Sequence, residues 1–246
     1  MEEPAEGVYR VEDAYTNWYL IDDGAGDMTV VDSGVPRSWD SFRAALGQLG
    51  RRDDAVKALV LTHAHFDHLG FAERARSELD IPVWVHEDDV PLTRHPMQYA
   101  HERSRSRYLL SKPKALPIIL ALVRNRAFWP APVQEVRRFA DGAKLDVPGS
   151  PLAVHSPGHT LGHCGLHLEE RGVLLAGDAL VMLDPYTGRS GPRLVARAAT
   201  ADVERALGSL ARLAATEAST VLTGHGEPWH HGIGPAVEAA SKAGAE

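Results

Sequence analysis

The sequence predicts an α+β fold, and three observations carry that expectation. Short apolar runs at 56–61, 152–155, 173–176 and 220–223 each lead into a histidine or aspartate, three of them beside glycine, as buried strands do when they stop at loops. Residues 8–11, 18–21 and 28–31 read as further strands, the last two joined by the turn Asp22-Asp23-Gly24-Ala25-Gly26-Asp27, which makes an antiparallel meander. Stretches 38–49, 69–79 and 201–215 carry apolar residues at helical spacing, and 235–243 can form a last helix. With 246 residues, 44% of them hydrophobic, and a mean hydropathy of −0.22, the chain can bury a large core in one or two domains.

Taken in order, Asp32-Ser33-Gly34 closes the meander, where Asp32 can hold a neighbouring histidine or satisfy local backbone N–H groups. Ser38 is the expected N-cap of a helix through Leu49, with Phe42, Leu46 and Leu49 inward and Gly50 as its stop. After the 69–79 helix, 82–86 is a short strand whose His86 is expected to pack at the strand end. The strand rhythm then vanishes over 87–136, read as a helical insertion with helices at 97–110 and 117–129, bounded by Pro96, Pro113, Pro117, Pro130 and Pro132. Asp141-Gly142 is a turn, 143–147 and 152–155 a hairpin, and 161–168 with 173–176 a second hairpin, from which His163 and His167 are expected to point away from any site. In the 201–215 helix, Asp202 lies in the first turn and Val203, Ala206, Leu207, Leu210 and Leu213 face inward. His230 and His231 are expected in solvent.

The densest chemistry is Thr62-His63-Ala64-His65-Phe66-Asp67-His68, placed between a strand and a helix. Alternation lets His63 and His65 turn two imidazoles toward one ion, while Asp67 and His68 can face a second position beside it. Imidazole with carboxylate is a ligand set that zinc prefers. Further ligands must come from elsewhere, and three strand ends offer them: His159 in Ser156-Pro157-Gly158-His159-Thr160, Asp178 after Gly177, and His225 between Gly224 and Gly226.

In that order, His63-Ala64-His65-Phe66-Asp67-His68, His159, Asp178 and His225 resemble the metallo-β-lactamase-fold hydrolases, from about Val30 to Gly226. The resemblance implies a single domain over 1–246 built as a four-layer αββα sandwich, two sheets face to face between outer helices. It implies that His63, His65 and His159 hold one metal, that Asp67, His68 and His225 hold the other, and that Asp178 bridges them. Two zinc ions are expected, with iron or manganese as alternatives, roughly 3.5 to 4 Å apart and sharing a hydroxide whose parent water is acidified toward pKa ~7. That hydroxide would attack an ester or thioester carbonyl, with Asp67 as the catalytic group that orients it or takes its proton.

Within that family, hydroxyacylglutathione hydrolysis is the first expectation. Those enzymes continue into a helical glutathione-binding region beyond the residue matching His225, whereas little follows Gly226 here, which points to another thiol carrier. N-acyl-homoserine lactonases place a tyrosine shortly after the bridging aspartate; here Ala179, Leu180 and Val181 follow Asp178 and Tyr186 is the nearest tyrosine, which weakens that reading. True β-lactamases are secreted and usually depart from this ligand set at Asp178. A rival chemistry is a mononuclear iron dioxygenase acting on persulfides, using only His63, His159 and Asp178. A zinc phosphodiesterase and a non-catalytic metal-binding module are further alternatives.

Charge bears on partners. The chain carries −7, yet 91–138 holds ten basic and two acidic residues, +8, leaving −15 for the remainder. An acidic whole without a basic-aromatic strip argues against nucleic acid. The insertion has three readings: a plain helical cover, a lid whose arginines receive an anionic acyl thioester while 118–123 take its acyl chain, or a peripheral membrane contact. The N-terminus lacks a basic start and an apolar h-region, and the single Cys164 excludes an internal disulfide, so a cytoplasmic location is expected. Oligomeric state is not legible.

Overall fold

A computed structural model describes residues 1–105 and 111–246. Strands β1 (Glu2–Ala5), β2 (Val8–Asp13), β3 (Thr16–Asp22), β4 (Met28–Val31), β5 (Val56–Val60), β6 (Val83–His86) and β7 (Arg137–Phe139) form one sheet in sequence order. The first four pair antiparallel, as tight turns allow; β4 to β7 pair parallel, which requires crossovers. Helices α1 (Ser38–Gln48) and α2 (Ala72–Leu79) are the first two of these. The third contains α3 (Val90–Arg94) and α4 (Leu116–Arg124). The second sheet has the order β13-β10-β9-β8, from β8 (Leu152–His155), β9 (Cys164–Leu168), β10 (Val173–Gly177) and β13 (Thr220–Thr223). A separate hairpin, β11 (Val181–Asp184) with β12 (Arg189–Arg193), precedes α5 (Val203–Ala214); α6 (Ile233–Ala243) ends the fold.

Side-chain alternation turns these elements into layers. In β3, Trp18 and Leu20 enter the core beneath α1 and α2, while Tyr19 and Ile21 enter the core between the sheets. In β10, Val173 and Leu175 face that central core, and Leu174 and Ala176 face α5 and α6. Strands buried on both faces read as unbroken apolar runs, which is why 58–61 and 173–176 show no polar alternation. The layers are therefore helix, sheet, sheet, helix. Under α1, Trp18, Trp39, Phe42 and Phe71 pack with ring centroids 5.2–6.2 Å apart.

Several local expectations are corrected. Arg37 precedes α1, and the Ser38 hydroxyl accepts from Val35 N instead of capping the helix. Residues 97–104 form turns and bends, because Pro96 and the contacts of Tyr99 and Glu102 hold them irregular; the rest of the 97–110 helix, 106–110, lies outside the described residues. The 117–129 helix ends at Arg124, and Arg126 takes a positive φ of 63°. Residues 143–147 contribute only a single bridge, Lys144 to Leu152. Leu207 is exposed, one step off the buried stripe of α5, and Asp202 is its N-cap, accepting from Arg205 N. Strands β1 and β12 lack an apolar run, and β11, although its Val181-Met182-Leu183 is apolar, follows the loop of Asp178 so closely that it does not stand out as a separate strand. Among the described residues, no helix is long and apolar enough to cross a membrane.

Candidate metal centre

The loops at the ends of β5, β8, β10 and β13 meet at one edge of the sandwich. Ligand atoms of His63, His65 and His159 lie within 4.8 Å of one another, and so do those of Asp67, His68 and His225; all six are buried. Asp178 sits between the two groups. Its Oδ2 is 3.4 Å from His159 Nε2 and 3.3 Å from His225 Nε2, and its Oδ1 is 3.7 Å from His68 Nε2. All seven residues singled out from the sequence thus come together.

Three of the imidazoles are aimed from behind. His68 Nδ1 is 3.1 Å from Asp32 Oδ2, and His225 Nδ1 donates to Tyr15 O at 2.6 Å. The Thr62 hydroxyl donates to Asp32 at 2.8 Å and therefore accepts from His63 Nδ1 at 3.0 Å. In a neutral ring, a proton held at Nδ1 leaves the Nε2 lone pair pointing inward. Two of these supports sit on left-handed backbone: Asp32 has φ 57°, and Ala14-Tyr15, the tight β2–β3 turn, has φ 54° and 65°.

The fit to metal ions rests on what these atoms lack. Nε2 of His63, His65, His68 and His159 and Oδ1 of Asp178 are buried without a hydrogen-bond partner among the described residues. Orphaned buried acceptors are rare in folded proteins, and five converging ones fit a cation pair. Backbone room is made for it: a Cβ on Gly224 would fall on Asp178 Oδ1, and one on Gly177, at φ 50°, would stand 2.7 Å from both His163 Nε2 and Thr62 Oγ1.

Electrostatics divide the cluster. Burial and neighbouring imidazoles push His63 well below its ordinary pKa; burial does the same to His65 and takes His159 to about 4. These three are neutral ligands. Burial also opposes charge on His68, but Asp178, Asp32 and Asp67 outweigh it and lift His68 to about 10; Asp178 and Asp67 raise His225 against burial in the same way. Burial raises the Asp67 carboxyl, whereas at Asp178 the imidazoles of His225 and His68 overcome burial and hold the carboxyl far below its usual range.

Three supporting residues escaped sequence reasoning. Asp89, within the stretch read as insertion, is fully buried and accepts from Ala64 N at 2.9 Å, Thr160 Oγ1 at 2.8 Å and Gly162 N at 2.8 Å, so one carboxylate ties the loop of His63 and His65 to that of His159. Thr62 has the role given above. His163, expected to turn away, instead accepts from Asp178 N at 2.9 Å and contacts Ser156 Oγ at 2.9 Å, because it precedes β9 and lies in the loop at its edge; His167, within β9, does point elsewhere. The only local sign was its position four residues after His159. Asp32 does hold a histidine, and His230 and His231 are exposed, as expected. His86 stacks on His155 with ring centroids 4.2 Å apart. Cys164 is buried, which pushes its thiol pKa up.

Comparison with known proteins decides the family, since the metallo-beta-lactamase superfamily model matches residues 11–225. The chain belongs to the metallo-beta-lactamase superfamily. It is 29% identical over 234 residues to the probable metallo-hydrolase YflN of Bacillus subtilis, covering 92% of this chain and 86% of that one. It is 25% identical over 164 residues to hydroxyacylglutathione hydrolase GloC of Haemophilus influenzae, covering 67% and 66%. Among solved structures, the metallo-beta-lactamase family protein TTHA1429 of Thermus thermophilus superposes with a TM-score of 0.69 at 28% identity, covering 96% of this chain and 79% of that one. The four-layer superfamily fold and the buried His/Asp cluster together indicate a divalent metal centre.

Beside this centre a cavity of about 120 Å³ is lined by Phe66, Asp67, Tyr99, Arg105, Ile119, Leu122, Phe128, Pro185 and Tyr186. The hydroxyls of Tyr99 and Tyr186 lie 2.8 Å apart, and the Arg105 guanidinium lies 4.1 Å over the Tyr99 ring. Arg105 Nε is buried without a hydrogen-bond partner among the described residues. Neither tyrosine was marked as a site residue: Tyr186 reaches the cavity through the β11–β12 turn and Tyr99 through the irregular 97–104 segment.

Proposed function

We propose that this chain is a hydrolase of esters or thioesters, with a dinuclear zinc centre and a small acyl substrate that carries an anionic group. The observation that carries it is the cavity, where an apolar wall, a guanidinium and the ligand-set carboxylate Asp67 meet. When bound, a pair of divalent ions supplies an acidified water and polarises the substrate carbonyl.

The chain's own residues do the rest. Phe66, Ile119, Leu122 and Phe128 exclude water and take the acyl portion. Arg105 pairs with the anionic group through the N–H edge of its guanidinium, whose face rests on the Tyr99 ring. Asp67 lies 3.6 Å from His225, and burial raises its carboxyl, so it can orient the attacking water and accept its proton. His63, His65 and His159 on one side and Asp67, His68 and His225 on the other make two complete donor sets, which favours the hydrolase over a one-iron persulfide dioxygenase.

Tyr186 on the cavity wall, eight positions after Asp178, favours lactones as a second substrate class. The test is a panel of thioesters, esters, lactones and phosphodiesters assayed after zinc, manganese or iron reconstitution, with metal counted per chain. Turnover of acyl substrates at two zinc per chain is expected; one iron with oxygen uptake overturns the proposal.

A further inference from the structure

Helix α4 is apolar on two sides. Ile118 and Leu122 are buried against Phe66 and Tyr99, and Ile119 and Leu122 wall the cavity. On the other side Leu116, Leu120 and Val123 follow at helical spacing and are 54%, 60% and 46% exposed. The turn beyond repeats the division, with Phe128 in the cavity and Trp129 65% exposed. Of seven exposed large hydrophobic side chains among the described residues, four fall within these fourteen positions, so the exposure is concentrated in this stretch.

Every charged residue between Glu102 and Glu135 is basic. Lys114, Arg124 and Arg126 are exposed beside the outer face of α4, within the 91–138 segment of net charge +8. A leucine row flanked by lysine and arginine, with a tryptophan at its edge, has the chemistry of a surface that lies in the headgroup layer of an anionic membrane. Tryptophan suits that layer because its ring is apolar and its N–H is polar. A second copy of the chain is disfavoured by the same charges, since a two-fold pairing sets the basic segments against each other.

We propose that the outer face of α4 with Trp129 docks on an anionic phospholipid bilayer. Docking would bring the bilayer to the helix whose inner side walls the cavity. The docking itself does not depend on the substrate reading; only delivery of an acyl chain to the cavity rests on it.

The test is sedimentation of the full, metal-loaded chain with vesicles of phosphatidylcholine alone or with about a third phosphatidylglycerol. Binding to the anionic vesicles is expected, weakened by salt, with a loss of at least about tenfold in the Leu116→Ser, Leu120→Ser, Val123→Ser triple variant and a similar loss in Lys114→Glu, Arg124→Glu. Because these side chains are exposed, melting temperature and turnover of a water-soluble ester should not change. Absence of sedimentation with anionic vesicles, or equal binding by the triple variant, overturns the proposal. So does a dimer in solution that the serine variant dissolves, since the face would then belong to a second copy. Vesicle binding is read without turnover, so failure of the hydrolase proposal is separately visible.

Discussion

The metal cradle and the 87–136 segment are built on opposite principles. In the cradle, side chains from four strand ends are buried and cross-tied: Asp32, Thr62, Asp89 and His163 fix the ligand loops through backbone and imidazole hydrogen bonds. In the segment, short helices rest largely on apolar contacts, and polar ties to the body gather at a few points: Glu102, which bonds Arg197, Thr200 and Val203, Lys112, which pairs with Glu246, and Gln134 N, which donates to Glu73. The difference teaches where rigidity is needed. Charged transition states are stabilised by donors that do not reorganise, while an apolar cavity wall and a solvent-exposed helix face tolerate local adjustment. Asp89 marks the boundary, because it lies at the start of the segment yet serves the cradle.

Perturbing each region sharpens that contrast. Asp178→Asn should have the largest effect, a loss of several kcal/mol of transition-state stabilisation, about 10³-fold in kcat/KM, with fewer metals per chain by elemental analysis. Full metal content with normal turnover would remove Asp178 from the centre. Asp32→Asn comes next: asparagine tolerates the left-handed backbone, so the change isolates the carboxylate behind His68, and metal affinity should fall about 10- to 100-fold. Chelator competition measures it.

His163→Phe leaves Asp178 N as a buried donor without its acceptor and should cost about 1–3 kcal/mol of stability, read by denaturant unfolding. The segment should respond differently. Arg105→Ala is expected to raise KM about tenfold for carboxylate-bearing substrates, as loss of one charge-assisted hydrogen bond would, with kcat, metal content and melting temperature unchanged. The smallest effect belongs to Ile119→Ala, a few-fold shift in acyl-chain preference measured across a length series. A melting or metal-content change in either variant would mean that the segment is part of the cradle.

Much of the centre could be read in one dimension because ligands leave local marks. His63, His65, Asp67 and His68 are adjacent, and His159, Asp178 and His225 each follow a short apolar run beside glycine, so residue type and neighbourhood sufficed. The supporting groups leave no such mark. Asp89 is one of two adjacent aspartates, and its exposed neighbour Asp88 looks the same in sequence; only the approach of two loops separates them. His163 was misjudged because strand alternation was extended one residue beyond the start of β9.

By itself, the order of residues determined the α+β class, the seven converging donors and the basic character of 87–136, since each is a property of neighbours along the chain. Tertiary structure alone decided which imidazole nitrogens face inward, that Tyr99 and Tyr186 share one wall, and that α4 is apolar toward both cavity and solvent. Those facts depend on groups as far apart as Tyr15 and His225, 210 positions in sequence, being brought to hydrogen-bond distance by the packing of two sheets.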